Sequence, residues 1–257
     1  MEALSVIVIT KDEERNIRDC LESVRWATEL VVVDAGSSDK TVEIARSFTK
    51  KVYERPWEGY GESKNFALLQ CTQDWVLWLD ADERVSPRLR TDIIASIKRD
   101  DRAVAAYSMP RMAFFLGKWI QHAGWYPGRV TRLFRRSAGK FTTAKVHEQL
   151  VVNGTVLELA GDIYHLTDPD LKHYFTKFNK YTTLAAEDAV RLGKRASLAD
   201  MLLRPFWSFV KMYLIKRGFL DGLHGFILCL VSSFYVFVKY AKIWEQYHKG
   251  SEKGPVS

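Results

Sequence analysis

Residues 4–9, Leu-Ser-Val-Ile-Val-Ile, form an almost unbroken β-branched run. A strand with one solvated face alternates polar and apolar residues, whereas a run without alternation is buried on both faces. Such a strand needs helices above and below it, and the following residues supply them. Ile17, Leu21 and Val24 recur at helical spacing, residues 30–33 are a second apolar run, and 41–48 read as a short helix. Residues 51–54 form a weaker third strand, 63–71 a helix and 75–79 a fourth strand. Ser86-Pro87 opens another helix, with a capping hydroxyl followed by proline in the first turn. Strands separated by single helices pair in parallel through right-handed crossovers. The expectation is an α/β protein on a doubly wound sheet, with ligands at the carboxyl ends of the strands.

Between 103 and 165 the pattern changes to extended segments (103–109, 130–135 and 149–159) joined by loops rich in glycine and aromatics. These extend the same sheet. From Pro169 the chain turns helical, with Leu171, Phe175, Phe178, Tyr181 and Ala185 on one apolar stripe. The expected division is a sheet domain over residues 1–166 and a helical region over 167–257. Cys20, Cys71 and Cys229 are odd in number and widely scattered, which argues against a disulfide framework or a zinc site and fits a reducing compartment. The chain opens on Met-Glu-Ala without the basic segment of a secretory leader.

The net charge of +7 is uneven: residues 201–257 carry 8 Lys and Arg against 3 Asp and Glu, interleaved with aromatics. Residues 222–238 are uncharged over 17 positions, the short limit for a spanning helix. Residues 205–213 mix aromatics and cations as interfacial helices do. A membrane-associated extension, lying on or dipping into an anionic surface, is expected; a span or a dimer interface stays open. Nucleic acid is not an expected partner, since no helix-turn-helix, zinc finger or RNA-binding sheet motif is present.

Three loops at the predicted carboxyl edge carry acids: Thr10-Lys11-Asp12-Glu13-Glu14, then Asp34-Ala35-Gly36-Ser37, then Asp80-Ala81-Asp82. One such acid alone reads as a helix cap. Three at one edge point to a ligand. Two carboxylates straddling one residue suit Mg²⁺ or Mn²⁺, which would bridge a diphosphate. Gly59-Tyr60-Gly61-Glu62-Ser63-Lys64 lacks the spacing of a P-loop or a dinucleotide fingerprint, although Lys64 could reach a phosphate. Arg129 and Arg132 either clamp phosphate or form a charged strand face. His165 is read as following a short strand, as a third metal ligand or as a core histidine.

Residues 5–13, 31–41 and 78–83 resemble, in order, the motifs of the family 2 glycosyltransferases of the GT-A fold. Gly124-Trp125-Tyr126-Pro127, Arg132-Leu133-Phe134-Arg135-Arg136, Val146-His147-Glu148 and Asp221-Gly222-Leu223-His224-Gly225 are similar to the branch with lipopolysaccharide core β-1,4-glucosyltransferases. The resemblance implies a GT-A-type mixed sheet with a Rossmann-like nucleotide-binding half. It implies inverting, metal-dependent transfer of a sugar from a nucleotide diphosphate sugar, a UDP-sugar being favoured. Thr10, Glu13, Asp34 and Gly36 would bind the nucleotide, with Lys64, Asp80 and Arg132. Asp82, Asp80 and His165 would hold Mg²⁺ or Mn²⁺, and Glu148 would be the base. Ala35 departs from the family's Asp-Gly-Ser pattern and leaves the choice of base open. The implied acceptor is a lipid-linked saccharide at the cytoplasmic face of the inner membrane, and an oligomer is possible. The alternatives are transfer to a polyprenyl phosphate and a non-catalytic, membrane-docked nucleotide-sugar-binding module.

Overall fold

The computed structural model describes residues 2–142 and 149–248. The chain separates into two compact units, residues 1–112 with 128–166, and residues 113–127 with 167–257. The first begins with β1 (Glu2–Thr10), α1 (Ile17–Ser23), β2 (Ala27–Asp34), α2 (Thr41–Arg46), β3 (Val52–Glu54), α3 (Tyr60–Leu69) and β4 (Trp75–Asp80). It continues through β5 (Glu83–Val85) and α4 (Pro87–Arg99) to β6 (Val104–Phe115). Ser86 caps α4 through its hydroxyl, which accepts from the Leu89 N–H.

Strand β1 lies between β2 and β4, parallel to both. Its side chains divide by pleat. Leu4, Val6 and Val8 pack with Leu21 and with Leu89 and Ile93, while Ile7 and Ile9 pack with Val31, Val33, Ala67 and Phe134. Both faces are apolar because both are covered, which is why the sequence shows no alternation. The register pairs Thr10 with Asp34 and Ile9 with Asp80, so three strands end at one edge.

The later strands are β7 (Lys118–Trp119), β8 (Gly128–Arg135), β9 (Gly139–Phe141), β10 (Leu150–Val152), β11 (Thr155–Glu158) and β12 (Ile163–Asp168). The main sheet runs β3-β2-β1-β4-β8-β6-β12-β5, with β11 and β7 beside β6. Past β4 the pairing turns antiparallel for β8 on β4 and for β6 on β8, giving the mixed sheet. Among the described residues no helix intervenes between β6 and β12, and β8 pairs antiparallel with β6, whereas β11 lies parallel to it. The extended stretch expected over 149–159 breaks at Gly154, where φ is +130° and a Cβ would lie 2.8 Å from the Ala105 Cβ. His165 lies inside β12, opposite Glu83 of β5, and does not follow the strand as the sequence reading had it.

The second unit holds α5 (Leu171–Arg191), α6 (Leu198–Val210) and α7 (Gly222–His248), with a π turn over Lys211–Ile215 and a 3₁₀ turn over Gly218–Asp221. Helix α7 packs on α5 and α6. Residues 113–127, kept with the sheet domain in the sequence reading, belong here because Lys118, Gln121, His122 and Ala123 hydrogen-bond to residues 216 and 221. The apolar stripe expected on α5 is largely exposed at Leu171, Phe175 and Tyr181. Phe178, Thr182 and Ala186 are its buried row, and Lys242 of α7 reaches Asn179, Thr182 and Thr183.

Candidate active site

The loops after β1 and β2 are tied together by side chains that satisfy each other's backbone. Asp12 Oδ1 accepts from the Ser38 N–H at 2.8 Å, and the Asp12 N–H donates to Ser37 Oγ at 2.8 Å. The Glu13 N–H donates to Thr41 Oγ1 and the Glu14 N–H to Asp39 Oδ2. Asp34 is buried, and its Oδ2 accepts from the N–H groups of Gly36 (2.9 Å) and Ser37 (2.8 Å). Its Oδ1 accepts from the Ser37 hydroxyl. Asp34 therefore shapes the loop that leaves β2. Gly36 completes the turn with φ +82°, a region that side chains with a Cβ rarely adopt. Glu13 Oε2 accepts from Asn16 Nδ2 at 2.7 Å. Thr10 is buried, with no hydrogen-bond partner for its hydroxyl among the described residues.

A second group gathers where β4 ends. Arg132 of β8, almost wholly buried, donates from Nη2 to Asp80 Oδ2 at 2.9 Å and to Glu83 Oε1 at 2.6 Å. Glu83 is fully buried; its other oxygen accepts from the Asp80 N–H at 3.1 Å, and Arg111 approaches Oε1 at 3.5 Å. The Arg132 guanidinium lies 3.3 Å from the ring centroid of Trp78, and Lys64 Nζ lies 3.9 Å from the same centroid. Lys64 is buried, in the first turns of α3. Burial alone would raise the Asp80 carboxyl. The charges of Arg132, Lys64 and His165 outweigh it and hold Asp80 below the usual carboxylate range. Nε and Nη1 of Arg132 are buried and have no hydrogen-bond partner among the described residues.

Asp82 follows on the turn into β5. Its Oδ2 lies 3.2 Å from His165 Nε2, and its carbonyl accepts from the Leu166 N–H. The structure thus brings Asp82 and His165 together and engages Asp80 with Arg132. Among the described residues no group of three or more His, Cys, Asp or Glu is arranged to hold a metal. Arg129 donates to the Leu159 carbonyl at 3.0 and 3.2 Å and pairs with Glu158, which anchors the end of β11. Glu148 and His147 lie outside the described residues. Glu83 and Trp78 went without a role in the sequence reading, although both stand within its third motif. The signal available for Glu83 was an acid two residues from each of two apolar positions, Ala81 in the turn and Val85 at the end of β5, which the structure buries.

The comparisons give the family and the type of fold. The family model for glycosyl transferase family 2 matches residues 5–149. The lipopolysaccharide core biosynthesis glycosyltransferase LpsC of Rhizobium meliloti (strain 1021) is 31% identical over 95% of this chain and 93% of its own. An uncharacterised glycosyltransferase of Rickettsia typhi is 32% identical over 95% of this chain and 88% of its own. Among solved structures, a mannosyltransferase from Pyrobaculum calidifontis, in complex with GDP-Man and Mn²⁺, superposes with a TM-score of 0.56. It is 16% identical, over 95% of this chain and 88% of that one, and so shares the GT-A type of fold. The sheet edge that collects Thr10, Asp34 and Asp80 lies inside a match covering more than half of the sequence, and the chain belongs to glycosyl transferase family 2.

Proposed function

We propose that this glycosyltransferase moves a hexose, with inversion, from a nucleotide diphosphate sugar to a lipid-linked saccharide of the lipopolysaccharide inner-core kind, working at the cytoplasmic face of the inner membrane. The observation that carries the reading is the register of β1, which aligns Thr10 and Asp34 with the acid–cation group around Asp80. The name of the Rhizobium relative supports the acceptor class, and the ligands of the Pyrobaculum enzyme support a nucleotide sugar with a divalent ion. UDP is favoured as the nucleotide from the family resemblance.

Thr10, Glu13, Asp34 and Gly36 form the nucleoside side of the site. Lys64 and Arg132 supply the cations for the diphosphate, whose oxygens would accept from the unpartnered Nε and Nη1 of Arg132. Asp82 and His165 fit a divalent ion, with Asp80 nearer the ribose. Their Oδ2 and Nε2 atoms lie 3.2 Å apart, so these two side chains would hold the ion together. Bound Mg²⁺ or Mn²⁺ would neutralise the departing diphosphate. Glu148 takes the proton of the attacking acceptor hydroxyl.

Glu148→Gln keeps the size of the side chain and removes its basic lone pair. Turnover at saturating donor should fall by about 10²–10⁴-fold, the usual share of general-base catalysis, with donor affinity unchanged. Turnover close to that of the unmodified enzyme would remove Glu148 from the mechanism.

A further inference from the structure

Two stretches of the sequence, Gly124-Trp125-Tyr126-Pro127 and Asp221-Gly222-Leu223-His224-Gly225, are given no role in the proposed function, and the second unit folds their neighbourhoods against each other. The Asp221 carboxylate is 4% exposed. It accepts from the backbone N–H of Gln121 at 3.3 Å and of His122 at 2.8 Å, and its Oδ1 lies 3.0 Å from His122 Nδ1. The Asp221 carbonyl accepts from Lys118 Nζ at 2.8 Å. The Ala123 N–H donates to the Lys216 carbonyl, and His224 Nε2 lies 3.1 Å from the Leu116 carbonyl.

The backbone around this pair is strained. Leu116, Ala123 and Arg217 have φ of +49°, +58° and +54°, a region that residues with a Cβ avoid. Left-handed residues that are not glycine persist where the surroundings fix them, and they concentrate at functional sites. The 3₁₀ turn that presents Asp221 is equally fixed: a Cβ at Gly225 would lie 1.9 Å from the Gly218 carbonyl oxygen.

A carboxylate only accepts hydrogen bonds, so in the neutral imidazole the proton sits on Nδ1 and the lone pair on Nε2. The His122 side chain is 31% exposed, and Nε2 has no partner among the described residues. A buried carboxylate that fixes the tautomer and direction of an imidazole with an open Nε2 is the arrangement by which proteins hold a histidine for use on a ligand. Phe219, Leu220 and Leu223, on the same turn and the start of α7, are exposed apolar side chains. The dyad therefore stands beside a surface suited to an acceptor that joins a sugar to a lipid.

We propose that His122 and Asp221 form an acceptor-binding site, in which Nε2 of His122 accepts a hydrogen bond from an acceptor hydroxyl and Asp221 is the positioning residue. The inference rests on the reading above that the acceptor is a saccharide. His122→Asn keeps an N–H for Asp221 and deletes the outward atom, whereas His122→Gln restores an acceptor at the outward position. With deacylated inner-core oligosaccharide from rough lipopolysaccharide as the probe, the acceptor KM should rise about 3- to 10-fold in His122→Asn, the worth of one neutral hydrogen bond. It should recover partly in His122→Gln, with donor hydrolysis unchanged in both. A purely structural histidine gives the reverse order. In ¹⁵N-histidine spectra, Asp221→Asn should invert the tautomer, and the oligosaccharide should shift the Nε2 signal of His122. An unmoved signal, or an unchanged acceptor KM in His122→Asn, overturns the proposal. Failure of the unmodified enzyme to turn over any nucleotide sugar would overturn the transferase reading instead, and the NMR titration would still decide on His122.

Discussion

Arg132 holds two carboxylates and stacks on an indole, and each contact constrains the others. Glu83 has no exposure to water, and its partners are Arg132, the Asp80 N–H and, at 3.5 Å, Arg111. Removing one partner of a buried pair leaves an uncompensated charge, which costs about 3–5 kcal/mol. Arg132→Ala should therefore lower stability by that order in urea denaturation, and Arg132→Ala with Glu83→Gln should recover part of it. Asp82 is different: its side chain meets His165 near the surface of the site, and its structural hydrogen bond to Leu166 uses the backbone. Asp82→Ala should leave the melting temperature of the ligand-free protein nearly unchanged. It should abolish the Mn²⁺-dependent rise that a bound nucleotide sugar produces by mass action. A rise of unchanged size and Mn²⁺ dependence would remove Asp82 from the metal site.

The strands of the parallel half were legible because burial on both faces leaves short apolar runs alternating with helical segments. Strand β5 was not legible, since three residues carry no period, and Glu83 within it is polar for a reason supplied by Arg132, 49 positions away. The acids at the carboxyl edge were visible as residues, but the engagement of Asp80 with Arg132 depends on the antiparallel register of β8 on β4. A similar tie closes the opposite end of the sheet. Glu29 of β2 accepts from Ser5 of β1 at 2.5 Å, from the Thr72 N–H just before β4 at 2.8 Å, and from Lys51 just before β3. Burial pushes the Glu29 carboxyl up, but the hydrogen bonds from Lys51, Ser5 and Thr72 outweigh it and hold the group below its ordinary value. A carboxyl lowered in the folded state stabilises above its unfolded pKa, about 4.3, and that stability is lost as pH falls through the folded value. Glu29→Gln should cost about 1.5–3 kcal/mol at pH 7, the range for hydrogen bonds to a charged group. Urea titrations repeated at lower pH should show the gap narrowing below about pH 4. A gap constant from pH 7 to 3 would mean that the amide serves the three strands as well as the carboxylate does.

At the scale of the whole molecule, the proposed seat on a membrane rests on charge and exposure together. Helix α6 buries none of its residues, and Leu203, Phe206 and Trp207 are each more than half exposed. Leu214, Ile215, Leu220 and Leu223 continue the apolar surface through the turns into α7. Lys211, Lys216 and Arg217 are interspersed, within a segment that carries 8 basic against 3 acidic residues. Residues 218–248 contain an 18-residue stretch of mean hydropathy 1.7, 22% of it buried, so length and composition also permit a span. Surface docking and spanning differ in what holds the protein. Docking combines apolar insertion, about 1.5–3 kcal/mol for a large side chain, with about 1 kcal/mol for each Lys or Arg near anionic lipid. At 1 M salt the screening length falls to about 3 Å, which removes most of the second contribution and none of the first. The full chain should therefore float with phosphatidylglycerol vesicles, float less in 1 M NaCl, and lose most binding when Phe206 and Trp207 are both changed to Glu. Alkaline carbonate should strip the docked protein. Carbonate resistance together with indifference to the double substitution would move the anchor from α6 to the 218–248 stretch and make the attachment a span.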